Sequence, residues 1–258
     1  MSELINVMHH APIAKRKGEI VGSRTDLDLS EYGIEVANRQ AEKLRWALSN
    51  RAFGNSIDMI ISSPLKRAIQ TTEIIAAKCR LDVIVDDRLK AQDFGLLDGM
   101  TFDEIYQDDI LKLYLWDYIE PQDRDNSCVP EGESNSHMVS RVGDFKADIL
   151  SHRMNSNSLI ITHGTVIDAL IATINNKRLD EIEGENRKYE GRLIVFTDHL
   201  YQPIGISGSQ FDYIPGVAEL LLINDKNGVK NLVRSYLNSP NIKEDERVHL
   251  EKLLVFYE

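Results

Sequence analysis

Three short apolar runs, far apart along the chain, each hand over to a helical pattern with a polar side chain at the junction. This repeated arrangement constrains the fold more than any other feature. The runs are Leu4–His10, Met59–Arg67 and Leu159–Gly164, and they deliver His10, Arg67 and His163. Short continuous apolar runs read as strands buried on both faces, and strands alternating with helices predict an α/β fold with a mainly parallel sheet covered on both sides. In such a sheet, ligands bind in the crevice outside the carboxyl ends of the strands, so three junctions of this kind can converge on one pocket. Two imidazoles and a guanidinium in one pocket suit a phosphate.

The rest of the chain supplies the covering helices. Ser30 is placed as an N-cap, and Ile34, Ala37, Ala41, Leu44 and Leu48 then recur at three- and four-residue spacing. Met59–Ile61 predicts a strand, followed by Ser63 as N-cap and Pro64 at the first helical position, which places Arg67 in the first turn of a helix. Leu65, Ala68, Thr72, Ile75 and Cys79 form the buried stripe of that helix. Leu81–Val85 predicts a third strand, Met100–Tyr118 a helix, Pro121–Glu133 a polar loop, and Met138–Arg153 a helix leading into strand Leu159–Ile161. Val166, Ile167, Leu170, Ile171 and Ile174 mark a further amphipathic helix. Ala218–Ile223 and Lys230–Tyr236 read as a hairpin around Asp225, Lys226, Asn227 and Gly228. The long polar stretch from 176 to 215 fits an insertion or a lid.

Composition narrows the class. A chain of 258 residues with 42% hydrophobic content can bury one sizeable core, and nothing in it forces a linker or a repeat. A formal charge of −11 argues against a nucleic-acid partner and against an anionic membrane surface, both of which need clustered Lys and Arg. Cys79 and Cys128 are the only cysteines, so reduced thiols are expected rather than a disulfide framework. The opening residues carry no basic region followed by an apolar one, and no apolar run reaches membrane-spanning length, so the expectation is a soluble cytoplasmic protein, compatible with a homodimer.

The junction segments have specific sequences. Val7-Met8-His9-His10-Ala11-Pro12, Ser62-Ser63-Pro64-Leu65-Lys66-Arg67-Ala68 with Gln70-Thr71-Thr72-Glu73, and Ile160-Ile161-Thr162-His163-Gly164 resemble the signatures of the histidine phosphatase superfamily. That family includes phosphoglycerate mutases, the phosphatase half of fructose bisphosphatase and α-ribazole phosphatase. Gly22 followed by Arg24-Thr25-Asp26-Leu27-Asp28-Leu29 is similar to the α-ribazole phosphatase branch. Arg88-Leu89, Asp93-Phe94-Gly95, Gly99 and Glu131-Gly132-Glu133-Ser134 follow in the family's order. The resemblance covers residues 4–175 strongly and 216–238 weakly. It implies a single phosphoglycerate mutase-like domain over 1–258, a three-layer α/β/α sandwich, with 176–215 inserted in it. It further implies catalytic His10, Arg67 and His163, with His9, Arg24 and Thr165 binding substrate, and neither cofactor nor metal. Two positions depart from the family: His9 stands where a motif Arg is usual, and Ala91 where a Glu proton donor is usual.

The chemistry agrees with these assignments. A phosphate monoester repels anionic nucleophiles, whereas a neutral imidazole adds to phosphorus without bringing a like charge. His10 is therefore expected to attack and form a phosphohistidine that water hydrolyses. Arg67 would hold two phosphoryl oxygens through its planar fork, and His163 would donate to the same group. Because side chains alternate along a strand, His9 and His10 are expected on opposite sides, so only one of them can attack; the resemblance, through the family's Arg-His order and the following Ala11-Pro12, implies that it is His10. A metal site at His9, His10 and His163 is disfavoured by the lack of zinc-type ligand spacing. Gln92, Asp93 and Glu133 are candidates to replace the missing acid, or else plain rim and capping residues. The leading reading is a phosphatase acting on a small phosphorylated metabolite. A mutase-type phosphotransferase and a weakened fold that binds a phosphorylated ligand or protein without efficient turnover are the alternatives.

Overall fold

The computed structural model describes residues 4–49, 57–119, 128–151, 158–179 and 193–197. Five strands form one sheet: β1 (Leu4–His9), β2 (Met59–Ser62), β3 (Asp82–Val85), β4 (Ser158–Thr162) and β5 (Leu193–Thr197), in the spatial order β3-β2-β4-β1-β5. The first four in that order run parallel and β5 pairs antiparallel with β1 at the edge. β5 lies within the stretch read as a polar insertion, which therefore returns to the sheet at 193–197. The remainder of 180–215 and the hairpin at 218–236 lie outside the described residues, as do residues 121–127 of the predicted loop.

Strand alternation sorts the apolar side chains onto two faces. Val7, Ile61 and Ile160 face a cluster with Met138, Val142 and Phe145 of α5 (Asn135–Leu150) and Val166, Ile167 and Leu170 of α6 (Gly164–Asn175). Met8, Ile60 and Leu159 face Ala41 and Leu44 of α1 (Glu31–Ser49) and Ala68 and Ile75 of α2 (Lys66–Cys79). Helices thus cover both faces, as expected of a sheet whose interior strands are apolar on both sides.

Three local expectations change. The Met100–Tyr118 pattern is two helices, α3 (Phe102–Ile105) and α4 (Asp109–Ile119). Asp108 interrupts it: its carboxylate accepts the N–H groups of Ile110 and Leu111, starting a new helix instead of continuing the old one. Helix α5 begins three residues before Met138, because the Ser134 hydroxyl accepts the His137 N–H as its cap. Helix α2 begins at Lys66 with Leu65 in the cap position, so Pro64 precedes the helix and Ser63 does not cap it. The Ser63 hydroxyl is engaged elsewhere, with His163. Among the described residues, no helix is long and apolar enough to cross a membrane.

Candidate active site

Three neighbouring parallel strands deliver the three junction residues to one place. His10 follows β1 and donates its backbone N–H to Thr162 at the end of β4, 3.0 Å away. His163 follows β4, and Arg67 lies in the first turn of α2, just beyond β2. The Arg67 Nε sits 3.2 Å from His10 Nε2, and the rings of His10 and His163 lie 5.1 Å apart between centroids. All three side chains are buried.

Hydrogen bonding sets the state of His10. The guanidinium Nε–H can only donate, so His10 Nε2 accepts and carries a lone pair. The proton is then on Nδ1, which donates to the Ala11 carbonyl at 2.7 Å. Burial holds the imidazole well below its usual pKa, with the His9 and Arg67 neighbours adding to that effect. The result is a neutral ring with its lone-pair nitrogen facing the buried cation.

His9 is beside His10, not across the strand from it. The two rings are tilted 37° to each other with centroids 4.2 Å apart. Strict alternation applies only within regular strand, and β1 ends at His9, so His10 has already left the pleat. His9 donates from Nδ1 to the His10 carbonyl at 2.8 Å, against which burial, Arg67 and Lys15 lower its pKa to about 4. Burial also lowers His163 well below its usual value.

Arg67 is 1% exposed. Besides His10, it donates from Nη1 to the Thr25 carbonyl at 3.1 Å and from Nη2 to the Gly22 carbonyl at 2.9 Å. Among the described residues, no carboxylate forms an ion pair with it. Burial pulls its pKa down to about 10, opposed by the more distant Asp26 and Asp98, so it remains a cation at neutral pH.

The 22–25 segment is clamped from its other side by Asp98, whose carboxylate accepts the backbone N–H groups of Gly22, Arg24 and Thr25. A side chain at position 22 would meet Asp98 Oδ2 at 2.4 Å and the Gln92 carbonyl at 2.6 Å, which explains the glycine. Asp26 then accepts the Lys66 N–H at 2.7 Å and so ties the same segment to the start of α2. Asp26, Asp98 and Ser63 were not assigned to the site from sequence. The segment holding Gly22 and Asp26 was the available signal, while Asp98 pairs across 76 positions without any local pattern.

The outer residues are partly committed to structure. Arg24 is exposed and donates from Nε to Asp93 at 2.8 Å and from Nη1 to Glu131 at 3.1 Å. The Thr165 hydroxyl is 3.5 Å from the Gln92 N–H. Ala91 is buried, and the side chain of Gln92 donates to the Glu133 carbonyl and to Asn135. Glu133 accepts the Arg141 fork through both oxygens, at 2.6 and 2.8 Å. Asp93 also accepts the Gly95 N–H. Two of the three candidate substitutes for the missing acid are therefore carboxylates held by guanidinium groups. No cluster of metal-ligating side chains occurs among the described residues.

A model of the histidine phosphatase superfamily (branch 1) matches residues 5–193. A probable phosphoglycerate mutase GpmB of Proteus mirabilis is 31% identical over 155 residues, which is 60% of this chain and 66% of that protein. Its Erwinia tasmaniensis counterpart is 26% identical over 66% of this chain and 74% of its own length. Among solved structures, a mycobacterial glucosyl-3-phosphoglycerate phosphatase superposes with a TM-score of 0.62 at 20% identity, covering 76% of this chain and 90% of that one. The α-ribazole phosphatase of Shigella flexneri superposes at 0.60 and 21% identity, covering 74% and 89%. At these identities the structural likeness establishes the fold: a mixed α/β, phosphoglycerate mutase-like architecture.

The buried cation sets an expectation for anion binding. Hydrogen bonds to charged groups contribute about 1.5–3 kcal/mol, so Arg67→Ala should weaken vanadate or phosphate binding by roughly 10- to 150-fold in calorimetry. Unchanged affinity in a folded variant removes Arg67 from the site. The histidines set another for stability. The folded forms of His9, His10 and His163 resist protonation, whereas the unfolded chain takes up protons near pH ~6.5. Their contribution is thus complete above that pH and lost as pH falls, with the His9 share exhausted near about 4. Thermal melts should show a falling Tm over this window, and a shallower fall in His9→Gln.

Proposed function

Since the chain belongs to the histidine phosphatase superfamily, branch 1, we propose that it hydrolyses a small phosphorylated metabolite through a phosphohistidine on His10. The observation that carries this reading is the His10 Nε2 lone pair, held 3.2 Å from the buried Arg67 guanidinium. A bound phosphoryl oxygen replaces that nitrogen as the acceptor of the Arg67 Nε–H, which frees the lone pair to attack phosphorus. The P–O ester bond breaks as the N–P bond forms, and Arg67 and His163 offset the charge on the transferring group. Water then attacks phosphorus, releases inorganic phosphate and restores the neutral imidazole. Arg24, His9 and Thr165 are proposed to contact the substrate, with Arg24 exchanging a carboxylate partner for the ligand.

Hydrolysis is preferred to mutase chemistry, although the curated relatives carry a mutase name. The run Phe94-Gly95-Leu96-Leu97-Asp98-Gly99, followed by Thr101-Phe102-Asp103-Glu104, is similar to the phosphatase branches. A second reading, ligand binding with weak turnover, draws on the two departures. His9 carries no permanent charge, and the two candidate replacement carboxylates, Asp93 and Glu133, are bound to arginines.

Phosphate release across a panel of esters tests both readings. Without an acid at position 91, the departing oxygen leaves as an anion, so aryl phosphates should turn over far faster than sugar or alkyl phosphates. Ala91→Glu should raise turnover of the poor-leaving-group esters by about tenfold or more and that of aryl phosphates much less. Efficient alkyl phosphate hydrolysis by the wild type, unaltered in Ala91→Glu, would mean that another group supplies the proton. No release from any ester would favour the binding reading.

A further inference from the structure

His163 presents an unusual account of its two ring nitrogens. Its side chain is 3% exposed, yet Nδ1 has no hydrogen-bond partner among the described residues. Buried polar atoms are almost always paired, so an orphan in the wall of a site points to a ligand. The other nitrogen, Nε2, lies 2.7 Å from the hydroxyl of Ser63, which is fully buried.

The hydroxyl can take either role, and counting partners decides between them. If Nε2–H donates to Ser63, the serine proton has no acceptor among the described residues and Nδ1 is a buried lone pair, which leaves two groups unpaired. If Ser63 donates to Nε2, its oxygen still accepts the Leu65 N–H at 3.4 Å, and only the Nδ1–H is unpaired. The second arrangement satisfies more groups. It also leaves a donor, where a lone pair would repel a phosphoryl oxygen.

We propose that Ser63 is a positioning residue: its hydroxyl fixes His163 in the Nδ1–H tautomer, so that this proton is presented to the phosphoryl group at His10. The inference rests on the phosphatase reading for the identity of the ligand, but the tautomer follows from the protein alone. The hydroxyl reaches a ring 100 positions away along the chain. The imidazole stays neutral through burial and the nearby Arg67, which keeps the tautomer meaningful at cellular pH.

Nitrogen-15 NMR of histidine-labelled full-length protein reads the tautomer directly, with His163 assigned by its absence in His163→Asn. Wild type should show a protonated Nδ1 and a lone-pair Nε2 at this residue. Ser63→Ala should show a mixture of tautomers and bind vanadate about tenfold more weakly, while Ser63→Thr, which keeps the hydroxyl, should restore both. An Nε2–H tautomer in the wild type overturns the proposal, and so does a folded Ser63→Ala with unchanged tautomer and vanadate affinity. If Ser63→Ala does not fold, the wild-type spectrum and Ser63→Thr decide the question. Neither readout requires turnover, so a protein that releases no phosphate would fail the phosphatase reading and leave the tautomer result standing.

Discussion

The buried guanidinium of Arg67 is the constraint on which the rest of the site depends. A charge removed from water costs several kcal/mol unless it is paired and fully hydrogen-bonded. Here the described residues offer it only neutral acceptors: two backbone carbonyls and an imidazole nitrogen. Satisfying it shapes the surroundings in turn. The carbonyls come from Gly22 and Thr25, so this segment must cross the guanidinium closely, and Asp98 holds the crossing in place through three backbone N–H groups. The imidazole acceptor is His10, and accepting there fixes its proton on Nδ1. Burying this one cation among neutral acceptors thus orders a loop and fixes the tautomer of His10.

The same logic explains why the histidines must be neutral. Three imidazoles packed beside a permanent cation do not readily take up three further charges, and each is depressed by burial and by its neighbours. His9 then differs in kind from the arginine usual at its position. Its Nδ1–H is spent on the His10 carbonyl, so its Nε2 bears a lone pair and meets a phosphoryl oxygen favourably only after taking up a proton. An arginine would bring its charge at any physiological pH.

Much of this was legible in the sequence because it was written locally. The apolar runs at 4–8, 59–61 and 159–161 marked interior strands, and the residues ending them marked the junctions that the parallel sheet brings side by side. What escaped was decided by contacts without a short-range period. Asp98 meets the 22–25 segment only through the folded chain, and Ser63 looked like a helix cap because Ser-Pro at a strand end has that form, while its true partner is distant. The His9 ring was placed on the wrong side because alternation was carried one residue past the end of β1. β5 escaped because a lone apolar run inside a polar stretch does not announce which edge it will join. The Met100–Tyr118 break turned on one carboxylate, Asp108, competing for backbone N–H groups that a continuous helix would have used internally.

The central claim is that His10 Nε2 becomes covalently phosphorylated. Rapid quenching during turnover of an aryl phosphate, followed by peptide mapping, tests it most directly. The account predicts an acid-labile, base-stable phosphoryl group on His10, lost in His10→Ala and still detectable in His9→Ala. A phosphoryl group mapped to His9, or steady turnover in His10→Ala, would contradict it.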